Sequence, residues 1–250
     1  MPRRLLYFKL VGKEKDRKAV EEYLRRFASP GFEVEARLIK SRLPDLEYHC
    51  YVAAIAKDVL REVIRAEREG FTAVILGCFY DPLLEETREL TSKMAVVAPC
   101  QASLHLASLL GSSITIILGR EKHLPKIREL TVKYGFKDRV SFKCLGLCVE
   151  DFYTRREAVR KKVAEAARQA VEVEAAEVVV LGCTALYGFF KGLQEELKVP
   201  VIDPVLASLK YAEFMALVEE QLGWRISKRS SYEAPPQDEL ENFLEILKFP

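Results

Sequence analysis

The sequence predicts an α/β protein made of two similar lobes. Each lobe is a parallel sheet flanked by helices, and a pseudo-twofold axis relates the two with a ligand site between them. Three observations predict it. Short apolar runs rich in β-branched residues alternate with longer amphipathic stretches along the chain, as in a parallel sheet covered on both faces by helices. The run Val178-Val179-Val180-Leu181 ends in Gly182-Cys183, and Ala73-Val74-Ile75-Leu76 ends in Gly77-Cys78 in the same way. Two Leu-Gly-Cys endings, 105 residues apart, read as one half-domain repeated, each half offering one thiol to a shared cleft. Finally, open α/β sheets bind ligands at the carboxyl ends of their strands, which is where both cysteines fall.

The elements follow in order. Leu5 to Val11 reads as the first strand, and Glu14 to Phe27 as an amphipathic helix with Val20, Leu24 and Phe27 on its apolar face. Pro30-Gly31 turns the chain into an alternating strand from Phe32 to Ile39. A loop with Pro44 leads to a helix from Tyr51 to Glu69, closed by Gly70. The strand 72–77 reaches Cys78, and Asp81-Pro82 opens a helix to Lys93, with proline at its first position. Met94 to Ala98 is a strand, Gln101 to Leu110 a helix stopped by Gly111, and Ser113 to Leu118 a strand. A helix from Arg120 to Tyr134 is capped by Gly135, and Val140 to Lys143 is a strand. Leu145 to Asp151 is irregular, Tyr153 to Ala175 the longest helix, and 177–181 the strand before Cys183. A helix from Tyr187 to Leu197, the strand Val199–Ile202 and a helix from Pro204 to Leu222 complete the alternation. A linker containing Ser227-Lys228 and Pro235-Pro236 leads to a terminal helix, Glu239 to Leu247. The expected lobes are flavodoxin-like: residues 1–97 plus 204–250, carrying Cys78, and residues 98–203, carrying Cys183.

A chain of 250 residues can bury a full core. Its 49% hydrophobic and 30% charged residues are those of a water-soluble globular protein. The net charge of +2, with acids and bases interleaved, argues against nucleic acid or an anionic membrane surface as a partner. No apolar run approaches a membrane span, and Lys9 interrupts the N-terminal apolar run before it could be a signal peptide. The expected compartment is the cytoplasm, where the six cysteines stay reduced. A single asparagine, Asn242, among many Lys, Arg and Glu resembles a thermophile's composition. The expected partners are a small-molecule substrate and further copies of the chain.

A cysteine at a strand end is usually a small buried hydrophobe. Two in repeated contexts suggest a chemical pair. If they face each other, one thiolate can take a proton from a carbon while the other thiol returns one from the opposite face, which is acid–base catalysis with inversion. A free thiol has a pKa of about 8.5, so one member can be thiolate while the other is protonated. A helix N-terminus after each strand would lower a thiol pKa and stabilise an enolate oxygen. Thr184 adds a hydroxyl after Cys183, and Phe79 an apolar wall after Cys78.

Gly77-Cys78-Phe79-Tyr80-Asp81-Pro82 resembles the Gly-Cys-Phe-x-Asp-Pro signature of hydantoin racemases in the aspartate/glutamate racemase superfamily. Leu181-Gly182-Cys183 is similar to their second signature, Val199-Pro200-Val201-Ile202-Asp203 to their Val-Pro-Val-Ile-Asp segment, and Ser227-Lys228, Tyr232 and Pro235-Pro236 to their tail. The resemblance implies a cofactor-independent racemase with Cys78 and Cys183 as catalytic thiols and Phe79, Tyr80, Gln101, Thr184 and Ala185 around the substrate. It implies no metal. The expected substrate is a 5-substituted hydantoin or an allantoin-like cyclic ureide. Phe8-Lys9-Leu10-Val11-Gly12 stands where the family usually has Asn-Pro-Asn-Thr, and Cys100-Gln101-Ala102 where it often has Gly-Glu-Ala. Amino-acid racemases of the superfamily usually carry Thr-His after the second cysteine, so Ala185 argues against that activity. The alternatives are an aspartate or glutamate racemase, a related decarboxylase or cis–trans isomerase, and a non-catalytic binding protein on the same scaffold.

Other groups read as structural. Cys144 and Cys148 have no second ligand pair for zinc, and Cys50 beside His49 is a loop cysteine. Cys100 could edge the cleft, with Gln101 and Ser103 as donors. His105 reads as a satisfied core histidine, and Arg120 as a surface charge.

Overall fold

Runs of Val, Ile and Leu cannot stay in water, and those of four or five residues lack the length of a helix. They become the strands of two sheets. The computed structural model describes residues 2–247. In the first sheet β1 (Arg3–Lys9), β2 (Phe32–Leu38), β3 (Ala73–Leu76) and β4 (Ala95–Val97) run parallel in the order β2-β1-β3-β4. In the second, β5 (Ile114–Leu118), β6 (Val140–Cys144), β7 (Val178–Leu181) and β8 (Val201–Ile202) run parallel in the order β6-β5-β7-β8. The two orders are one permutation, so the repeat seen in Leu-Gly-Cys extends to the topology. Every residue of β3, β5 and β7 is buried, as central strands covered on both faces require. Each large aliphatic side chain removed from water this way contributes about 1.5–3 kcal/mol.

The helices are α1 (Glu14–Phe27), α2 (His49–Arg68), α3 (Leu84–Leu90), α4 (Pro99–Leu110), α5 (Leu124–Lys133), α6 (Val149–Thr154), α7 (Arg156–Glu172), α8 (Phe190–Leu197), α9 (Pro204–Leu222) and α10 (Gln237–Ile246). Among the described residues none is long and apolar enough to cross a membrane.

The chain divides into two compact units. One holds the residues up to Gly77, Asp81–Ala98 and Leu209 onward; the other holds Cys78–Tyr80 and Pro99–Ser208. The first expected lobe, 1–97 plus 204–250, includes residues 1 and 248–250, which lie outside the described residues. It was also expected to carry Cys78, whereas Cys78–Tyr80 group with the second unit although β3 leads into them from the first. Phe79 accounts for this: it is buried in the second core with Cys100, Leu104, Ile116 and Leu118.

Several elements depart from the sequence expectation. Cys50, expected in a loop, lies in the first turn of α2, which starts at His49 instead of Tyr51. The helix expected from Pro82 starts at Leu84. Asp81 (φ 46°) and Leu83 (φ 61°) take left-handed conformations on either side of Pro82, so this segment turns instead of winding. The helix expected from Tyr153 to Ala175 breaks at Arg155 (φ −125°, ψ 40°) into α6 and α7. The stretch expected to be irregular contains the start of α6, because the Asp151 carboxylate accepts the Cys148 N–H at 3.1 Å. The helix expected from Arg120 opens as a 3-10 turn, Glu121–His123, before α5.

Candidate active site

Both cysteines stand one residue beyond a glycine that closes a central strand. Gly77 extends the β1–β3 ladder by donating its N–H to the Phe8 carbonyl at 3.0 Å, and Gly182 extends β5–β7 by donating to the Ile117 carbonyl at 2.8 Å. In register, Phe8 lies opposite Leu76 and Ile117 opposite Leu181. The two Gly-Cys pairs are therefore equivalent positions of the repeat. Each glycine is needed for space. A Cβ on Gly77 would stand 2.4 Å from the Phe8 oxygen and 2.5 Å from the Tyr7 ring. One on Gly182 would stand 2.6 Å from Leu118 and 2.7 Å from both Ile116 and the Ile117 oxygen. After each buried glycine the next side chain emerges, and both thiols are half-buried.

No α-helix begins at either thiol, which corrects the expectation of helix N-termini there. After Cys78 the chain turns through Phe79 and Tyr80, and α3 starts only at Leu84. After Cys183, in extended conformation, comes a 3-10 turn over Thr184–Leu186, and α8 starts at Phe190. Main-chain donors at these positions belong to turns.

The expected surrounding residues divide into two groups. Tyr80, Gln101 and Thr184 are half-buried. Phe79 and Ala185 are buried in the core of the second unit, Phe79 among the residues named above and Ala185 with Leu186 and Phe189. Cys100, expected as a possible edge residue, is fully buried, and Ser103 is fully buried with a hydroxyl that has no hydrogen-bond partner among the described residues. His105 is half-buried, with Nδ1 3.1 Å from the Gln101 carbonyl and its ring edge-on to Phe136. Burial holds its pKa below the ordinary value.

Cys144 and Cys148 are free thiols. Cys148 Sγ donates to the Asp151 carboxylate at 3.1 Å, and that contact is the leading cause holding Asp151 below the usual carboxylate range. Burial, reinforced by nearby Glu121, raises the Cys144 pKa despite Arg128. Among the described residues no group of three or more His, Cys, Asp or Glu side chains is placed to hold a metal ion.

Three residues that sequence reasoning did not single out act on the thiol-bearing turns. His123, buried after β5, stands edge-on to Tyr80 with ring centroids 5.6 Å apart. The Arg156 guanidinium donates to the Tyr187 carbonyl at 2.8 Å and reaches the Ala185 carbonyl at 3.4 Å. It also lies 4.7 Å from the Phe189 ring centroid. Asp203 figured only as part of a resembling segment. Its buried carboxylate accepts the N–H groups of Gly188 at 2.7 Å, Val205 at 2.9 Å and Leu206 at 3.3 Å. One signal was readable: Asp directly before Pro204 is an N-cap pattern. The tail residues that carried the resemblance act on α3. Lys228 donates to the Arg88 and Glu89 carbonyls at its end, and the Arg88 guanidinium lies 5.6 Å from the Tyr232 ring centroid.

Comparison with known proteins bears on what this arrangement does. The model of the Asp/Glu/Hydantoin racemase family matches residues 18–212. The chain is 36% identical over 185 residues to the hydantoin racemase of Paenarthrobacter aurescens, covering 72% of this chain and 75% of that protein. It is 34% identical over 190 residues to the hydantoin racemase of Pseudomonas sp. (strain NS671), covering 74% of each. Its fold matches that of the allantoin racemase from Klebsiella pneumoniae with a TM-score of 0.88, at 25% identity and over 98% of both chains.

Proposed function

Because the chain belongs to the Asp/Glu/Hydantoin racemase family, we propose that it is a cofactor-independent racemase whose acid–base pair is Cys78 and Cys183. The reaction class, an isomerisation, follows from the family. The proposed substrate is a 5-substituted hydantoin or an allantoin-like cyclic ureide, the chemistry for which the matched relatives are named.

One observation carries the two-thiol reading: Gly77-Cys78 and Gly182-Cys183 occupy equivalent positions of a structural repeat, each thiol half-buried after a buried glycine. In the proposed reaction one thiolate removes the proton from the carbon beside the carbonyl, leaving an enolate. The other thiol delivers its own proton to the opposite face. The substrate's atoms are unchanged in number and its hand is inverted, while thiol and thiolate have exchanged roles. A proton passed through solvent resets them. In this reading Thr184, Tyr80 and Gln101 meet polar atoms of the substrate. Phe79 and Ala185 contribute through packing, setting the turns on which the thiols sit.

The test is proton exchange in D2O, followed by NMR, with each enantiomer of a 5-substituted hydantoin and of allantoin, and with aspartate and glutamate. The wild type should exchange and racemise a cyclic ureide. Cys78→Ser should still exchange deuterium into one enantiomer while racemisation is lost. Racemisation by that variant at the wild-type rate would rule out the pair. Exchange into aspartate or glutamate alone would move the substrate to an amino acid, and binding without any exchange would make the protein a non-catalytic binder.

A further inference from the structure

We infer that Arg156 and Asp203 are positioning residues that clamp the turn following Cys183 and thereby set the place and reactivity of that thiol. The inference rests on the reading of Cys183 as one of the catalytic pair.

The turn from Thr184 to Phe189 needs such a clamp. It is too short and irregular to hold itself by an α-helical ladder; the Leu186 N–H donates to the Cys183 carbonyl at 3.0 Å, closing a single 3-10 turn. Two groups of opposite charge hold it instead. Arg156, at the start of α7, takes two of its carbonyls, Ala185 and Tyr187. Asp203, between β8 and α9, takes the Gly188 N–H and spends its other oxygen on the first turn of α9. The polarity is correct at both ends, a cation on carbonyl oxygens and an anion on amide hydrogens. Such charge-assisted bonds are stronger and shorter than neutral ones. Asp203 is 4% exposed, so its bonds are poorly screened by water. Arg156 adds a planar contact over Phe189, itself buried in the core, which a lysine could not supply.

These contacts come from elements on either side of the turn in sequence, so the turn is gripped at Ala185, Tyr187 and Gly188, two to five residues past the sulfur. Neither side chain need touch a substrate. Their effect passes through the backbone to Cys183 and to the Thr184 hydroxyl. Misplacing a reacting group by about 1 Å costs on the order of a hundredfold in rate, so modest loosening here should be visible in turnover.

The experiment compares Arg156→Gln and Asp203→Asn with Arg139→Gln. Arg139 also donates to three carbonyls, those of Ser108, Gly111 and Ser112, just before β5 begins, at the amino-terminal end of the same sheet's strands. It controls for simple loss of an arginine–carbonyl clamp. Iodoacetamide labelling is read peptide by peptide, with Cys78 as the internal reference. Arg156→Gln and Asp203→Asn should change the Cys183 rate at least about fivefold, leave Cys78 within about twofold, and lower kcat more than they raise KM. Arg139→Gln should leave both thiols and kcat unchanged. Unchanged Cys183 labelling in Arg156→Gln, or an equal change in Arg139→Gln, would overturn the clamp. If Asp203→Asn does not fold, Arg156→Gln decides alone. A Cys183→Ser protein that still racemises at the wild-type rate would remove Cys183 from catalysis, yet the labelling result for the clamp would stand.

Discussion

Gly182→Ala tests the packing that presents Cys183. The added methyl would stand 2.6 Å from Leu118 Cδ2, 2.7 Å from Ile116 Cγ2 and 2.7 Å from the Ile117 oxygen. Carbon atoms pack best at about 3.5–4.0 Å, so the two methyl contacts are each short by about 1 Å. Leu118 and Ile116 are fully buried, and in a close-packed interior moving them disturbs their neighbours. The third contact is with backbone, and relieving it stretches the 2.8 Å bond from the Gly182 N–H to that same oxygen. Overpacking of this kind costs about 1–3 kcal/mol, and the weakened hydrogen bond adds about 1 kcal/mol. A total near 3 kcal/mol corresponds to a fall in Tm of roughly 6–12 °C for a chain of this size. Differential scanning calorimetry reads it directly. Gly192→Ala is the control: a Cβ there meets nothing within 4 Å, and the position lies in α8, so it should gain about 0.5–1 kcal/mol. A Gly182→Ala protein melting within about 2 °C of wild type would refute the claim that this glycine is required by close approach.

Two further substitutions probe the second unit. Ser103 buries a hydroxyl without a hydrogen-bond partner among the described residues, so Ser103→Ala should be neutral or stabilising by up to about 1–2 kcal/mol in urea unfolding; a loss above about 1 kcal/mol would show that the hydroxyl has a partner. Burial lowers the His105 pKa from its ordinary 6.5. The unfolded chain therefore binds this proton first as pH falls, and stability from the neutral imidazole, fully present above pH 6.5, declines below it. His105→Phe should flatten that decline as pH falls below 6.5, and an unchanged slope would assign the acid sensitivity to other groups.

How far the fold was legible depended on the range of the forces involved. Strands such as Val178–Leu181 announce themselves because burial on both faces demands an unbroken apolar run. Helix α1 matched its expected limits, Glu14 and Phe27, because its apolar stripe and flanking turn are local. The Pro82 segment misled because proline at a first helical position and proline inside a turn look alike until the left-handed neighbours Asp81 and Leu83 are seen. The start of α6 was missed because its cap is the Asp151 carboxylate on the Cys148 N–H, and the break at Arg155 was missed because it lies in the backbone, with no side-chain cap to mark it.

The candidate site divides along the same line. By itself the sequence determined the α/β class, the repeat, and the pair of half-domain cysteines, since each follows from composition, periodicity or a short motif in contiguous residues. Tertiary structure alone decided that Phe79 and Ala185 face the core and that tight turns follow both thiols. It also decided that Arg156 reaches carbonyl oxygens 29 and 31 residues away. Those partners are main-chain atoms, which every residue carries, so no side-chain pattern in the sequence can point to them.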